Sequence, residues 1–123
     1  MQAETMAKPH SLIASDRIEG TLVYHPGGIR IGTIERVMID KVFGKVAYAV
    51  LNFGGFLGFG EKHFPVPWAS LKYNIQREAY EAAITEEQLR GAPSHGAGED
   101  FDWGNRTDET LIHSIYSTGH YWD

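Results

Sequence analysis

Six consecutive apolar residues, Val46, Ala47, Tyr48, Ala49, Val50 and Leu51, constrain this chain more than any other feature. The run is far short of the roughly twenty residues that a membrane-spanning helix takes. It is rich in β-branched and aromatic side chains and stops at Gly54-Gly55, which predicts a strand. With apolar residues at both parities, such a strand must be covered on both faces, as inside a barrel or sandwich. Gly54, Gly55, Gly58 and Gly60 are then interleaved with Phe56, Leu57 and Phe59. Neither a helical nor a strand period fits this stretch. It predicts a tight loop carrying apolar side chains at its tip.

The rest of the chain is punctuated for short strands. Leu12-Ile13-Ala14 predicts a first strand, Ser15-Asp16-Arg17 a turn, and Leu22–Tyr24 a second strand. Pro26-Gly27-Gly28 breaks the chain before a hairpin. Within Ile31–Asp40 a flat strand would put Glu35 and Arg36 on opposite faces, so a β-bulge or a sharp coil is expected near that pair. Gly44 can take the positive φ that a hairpin into the apolar run requires. In Lys62–Trp68, Phe64, Val66 and Trp68 share one parity, and His63, Pro65 and Pro67 the other. That predicts a half-buried strand, and its two prolines place it at an edge or at a gap in the ladder. A turn at Ala69-Ser70 precedes more strand at Leu71 and Tyr73. After a polar turn at Asn74–Glu78, Tyr80, Ala82 and Ile84 alternate as the last strand. Tyr48 and Trp68 are expected in the core.

Thr85-Glu86-Glu87-Gln88 has the pattern of a capping box, and Gly91 and Pro93 stop the helix it starts. A linker is expected over Ala92–Gly104. A second helix is expected over Asp108–Ser117, with Leu111, Ile112, Ile115 and Tyr116 on one side and Gly119 after it. So short an apolar helix needs a surface to dock on, its own domain or a second copy. The expected organisation is a flexible segment at 1–9, one domain at 10–93, and a linker with a helical, aromatic tail at 94–123.

Several functions are disfavoured. The 123 residues carry a net charge of −5 with scattered basic residues, unlike the basic stripe of a nucleic-acid reader. Cysteine is absent, so neither disulfides nor thiolate chemistry is available. No charged segment followed by an apolar stretch marks a signal peptide. A soluble cytoplasmic protein without an integral membrane anchor is expected. The glycine loop runs into Glu61-Lys62-His63-Phe64 rather than a Lys-Ser/Thr helix start, so it does not fit a phosphate loop. Gly55–Gly58 encloses no basic residue, against an RNA-clamping loop. His63, His95, His113 and His120 lack metal-ligand spacing, so no metal or cofactor is expected. Ser70, His63 and Asp40 are not tied together by any Gly-x-Ser-x-Gly elbow, so no catalytic residue and no enzyme is expected.

Taken together, Ile13–Arg17, Gly20, Val23-Tyr24, Ile31–Ile34, Val37–Lys41, Gly44, Val46–Leu51, Phe53–Gly58, Glu61-Lys62, Pro65–Trp68 and Leu71 resemble the PRC-barrel family. The resemblance covers Leu12–Pro93. It implies a mainly all-β fold: a small, strongly bent, antiparallel barrel, here with a short helix after the last strand and a C-terminal helical tail. It also implies a non-catalytic assembly module, because the family has no known catalytic residues. The expected function is protein interaction, with a homodimer as the expected assembly. The expected contact residues are Phe56, Leu57 and Phe59 in the loop, His63 and Pro65 on the edge strand, and Trp103, Tyr121 and Trp122 in the tail. A small-ligand or metal-binding barrel is one alternative. An accessory factor for assembly of the ribosome or of a photosynthetic or other membrane complex is another, implied only by the resemblance.

Overall fold

The structure, a computed structural model, describes residues 11–54, 61–96 and 98–123. A single turn of helix α1 (Ser15–Ile18) leads into strands β1 (Leu22–Tyr24), β2 (Arg30–Asp40), β3 (Lys45–Asn52) and β4 (His63–Pro67). A 3-10 turn at Trp68–Ser70 precedes β5 (Lys72–Asn74) and β6 (Ala79–Glu81), followed by helices α2 (Glu86–Gly91) and α3 (Arg106–Ile115). The strands form one sheet in the order β4-β3-β2-β1-β6-β5. All neighbours are antiparallel except β1 and β6, which run parallel.

The closed barrel expected from the sequence is not what this pairing gives, because β4 and β5 stand at opposite ends of the order. The outer edge of β4 explains why. The His63 N–H points outward and donates to the His95 carbonyl at 2.8 Å. By strand alternation positions 65 and 67 point the same way, and prolines there have no N–H to offer. One reciprocal bridge to His95 is all the pairing that edge makes among the described residues.

The apolar run is shielded on both sides as expected, but by two different kinds of cover. Ala47 to Leu51 are all buried. Ala49 and Leu51 share a face with Phe64 and Val66, opposite them in the β3–β4 register, and this face belongs to the main core. Tyr48 and Val50 share the other face with Pro67 and Pro65. That face is covered by the C-terminal segment, whose Trp103 and Tyr121 rings lie 5.6 and 5.4 Å from the Tyr48 ring. β4 is therefore buried along its whole length, not half-buried.

The register of β2 on β3 shifts between Ile34 and Arg36, the bulge expected at Glu35, and again between Met38 and Ile39. The first shift turns Glu35 toward His63, and its carboxylate lies against the His63 ring. Gly32 lies so near β3 that a Cβ there would stand 2.4 Å from the Asn52 carbonyl oxygen. The β2–β3 hairpin turns on Asp40, whose Oδ1 accepts from the Val42 and Phe43 N–H groups, and on Gly44 at φ 72°.

Four local expectations change. Leu12–Ala14 is not a strand, and its residues are exposed. Ser15–Ile18 is helical rather than a plain turn. The last strand ends at Glu81, one backbone bond from Ala82 to the Tyr24 carbonyl continuing it. Helix α3 starts two residues early because the Asn105 side chain caps it, accepting from the Asp108 N–H at 3.2 Å. The capping box of α2 is as expected: Thr85 Oγ1 accepts from the Gln88 N–H at 3.1 Å, and Gln88 Oε1 accepts from the Thr85 N–H at 2.9 Å.

Candidate functional site

Phe56, Leu57 and Phe59 lie outside the described residues. The other expected contact residues are turned inward. His63 and Pro65 are buried on β4, contrary to the exposed edge expected there, because the C-terminal segment covers that face. Trp103 is half-buried, 4.8 Å from the Phe101 ring as well as against Tyr48. Tyr121 and Trp122 pack edge to face at 5.1 Å, and both meet the His113 ring. Trp103, Tyr121 and Trp122 are thus brought together with Tyr48 and His113 into one intramolecular aromatic cover.

A buried polar cluster sits under that cover. The Tyr48 hydroxyl donates to Glu109 Oε1 at 2.7 Å and lies 3.0 Å from His113 Nε2. Glu109 also accepts from Arg106 at 3.0 Å and from the Gly104 N–H at 2.9 Å. His113 Nδ1 lies 2.8 Å from the Thr118 hydroxyl. Tyr48, Glu109 and His113 are each at most 2 % exposed. Burial, then the Glu109 carboxylate, pushes the Tyr48 phenol far up, so it remains a donor. Burial first, then His120, pulls His113 below its ordinary range. The Arg106 guanidinium completes the shell, 4.0 Å over the Trp122 ring. Every Glu109 oxygen is satisfied and the adjoining cleft measures only about 150 Å³, below the roughly 300 Å³ at which ligand pockets start. The arrangement ties the tail to β3 through Tyr48.

The sequence reading missed Glu109 and Arg106. The signal was there: Glu109, Ile112, His113 and Tyr116 recur at three- and four-residue intervals and form the buried face of α3. A charged residue on that stripe needed a buried partner, and the partner is Tyr48. Leu111, expected on the apolar side, is 45 % exposed.

A second polar group joins Glu35, His63 and His95, whose imidazole rings lie 5.5 Å apart. Burial, then His63, lowers His95. Among the described residues no three of His, Cys, Asp and Glu are placed to hold a metal ion.

The exposed apolar surface lies at the other end of the sheet. Leu12, Ile13, Tyr73 and Ile75 are 45–81 % exposed. With Ser11, Glu78 and Tyr80 they line a shallow cleft of about 860 Å³. The cleft adjoins β5, which pairs only with β6 among the described residues. Ile39, Val42 and Phe43 form a smaller patch at the β2–β3 hairpin. No helix among the described residues is long and apolar enough to cross a membrane.

A search of curated proteins finds no match to the chain. The family described as the PRC-barrel domain matches residues 10–89, a span that holds every strand of the sheet and stops within α2, before the aromatic cover begins. By that match over most of its length, the chain belongs to the PRC-barrel domain family.

Proposed function

We propose that the protein is a non-catalytic interaction module that pairs with a second copy of itself through β5. The observation that carries this reading is the exposed apolar cleft beside an edge strand. His63 and Pro65 of β4 are buried and the tail aromatics pack against Tyr48 and His113, whereas Ile13, Tyr73 and Ile75 face solvent. An exposed edge flanked by apolar side chains favours strand addition.

A second copy suits this edge by its charges. Antiparallel pairing across a two-fold axis at Tyr73 sets each Tyr73 against its mate and each Lys72 against Asn74. No like charges then face one another, and the two apolar clefts become continuous. Burying them contributes at roughly 25 cal/mol per Å² before the cost of association.

The test is multi-angle light scattering of the full chain and of a Tyr73→Asp, Ile75→Asp variant. At about 100 µM, a hundredfold above a micromolar dissociation constant, the wild type should run as a dimer and the variant as a monomer. A monomeric wild type, or a variant that still dimerises, rejects the reading.

A further inference from the structure

The histidine at the centre of the buried cluster has one ring nitrogen whose proton the contacts fix. Tyr48 has one hydroxyl proton, and it goes to Glu109. The contact between that oxygen and His113 Nε2 at 3.0 Å therefore needs a proton on Nε2. In the neutral ring Nδ1 then accepts from the Thr118 hydroxyl, 2.8 Å away. The neutral ring that fits these contacts is the Nε2–H tautomer.

On balance the surroundings of the ring disfavour a second proton, burial most of all. From β3 it faces the Tyr48 hydroxyl; from its own helix, Arg106 and Glu109; from the tail, His120 at 5.5 Å and the Tyr121 and Trp122 rings. The Gly119 backbone and Glu109 favour a cation, but burial and His120 outweigh them, and the Glu109 oxygens already bind Tyr48, Arg106 and the Gly104 N–H. His120 leans on Asp123 at 3.1 Å, outside the cluster. Protonating Nδ1 would force the Thr118 hydroxyl to reverse and would add a buried charge beside Arg106.

The cover also has a place to hinge. The His63–His95 backbone bridge ties the chain to β4, and residues 98–100 after it are exposed, with Gly98 at φ 82°. Phe101 then returns to the core. We propose that Phe101–Asp123 is an acid-released strap: protonation of His113 undocks it from the Tyr48 face while the six-stranded sheet stays folded. This stands apart from pairing through β5, at the far end of the sheet.

The sign follows from linkage. Burial holds docked His113 below 6.5, whereas the released ring titrates near its ordinary 6.5. Docking is at full strength above about pH 6.5 and weakens as pH falls through that value. Between pH 7.5 and 5.0 the opening constant rises by at most about thirtyfold, the limit for one ring that stays unprotonated while docked.

Hydrogen exchange of the full chain at both pH values, corrected for intrinsic rates, measures this opening. The strap amides should open more at pH 5.0, up to that limit, with those of β2 and β3 nearly unchanged. In His113→Gln, whose amide can still donate to Tyr48, the strap response should flatten. Should that variant fail to dock at all, nitrogen-resolved NMR of wild-type His113 decides, with an Nε2–H tautomer and a midpoint below 6.5 expected. Three results overturn the proposal: strap opening that ignores pH, a sheet that opens together with the strap, or a midpoint at or above 6.5.

Discussion

Replacing Tyr48 by Phe removes one oxygen and leaves the ring that packs against Trp103 and Tyr121. The hydroxyl is the donor to Glu109 and the acceptor for His113, in a site where all three residues are at most 2 % exposed. A hydrogen bond to a charged group is worth about 1.5–3 kcal/mol, and the stranded His113 N–H adds desolvation cost. Glu109 keeps Arg106 and the Gly104 N–H, which limits the damage. The expected loss is about 3 kcal/mol. For a chain of this size one kcal/mol moves Tm by roughly 4 °C, so the midpoint should fall by about 12 °C. Tyr116→Phe is the internal control. The Tyr116 hydroxyl is buried and has no hydrogen-bond partner among the described residues, so its removal should leave Tm level or slightly higher. Thermal melts followed by circular dichroism at pH 7.5 measure both. If Tyr48→Phe melts within about 3 °C of wild type, or both variants fall equally, the hydroxyl does not lock the tail.

Two further substitutions test the scaffold. Gly32→Ala should cost about 2–3 kcal/mol, because its new methyl meets the Asn52 carbonyl, a backbone atom that cannot swing aside; the urea midpoint measures it. Thr85→Ala opens the capping box of α2 and should cost about 1 kcal/mol by the same measurement.

Much of the sheet was legible because its signals are local. The unbroken run at Val46–Leu51, the charges at Glu35 and Arg36, Gly44 and the Thr85–Gln88 box each act within a few residues. Each places a strand, a bulge, a hairpin or a helix start where the structure has one. What escaped depends on distant partners. Pro65 and Pro67 do bar further pairing, but no local pattern says that the tail lies over them. His63 and Pro65 therefore read as surface and are interior. Glu109 sits on the buried stripe of α3, yet its destination is Tyr48, sixty-one positions earlier. The apolar cleft was hidden for the opposite reason. Tyr73 reads as part of an alternating strand, and only the sheet order shows that β5 has one side unpaired among the described residues.

The parallel pairing of β1 with β6 has a consequence for how the chain assembles. Val23 aligns with Tyr80, roughly sixty positions later, while the β2–β3 hairpin closes over four residues. The hairpin is therefore the natural early nucleus, and β1 gains its second flank only after an entropically expensive ring closure. During synthesis, Val23 must wait until Tyr80 has emerged before that flank is protected.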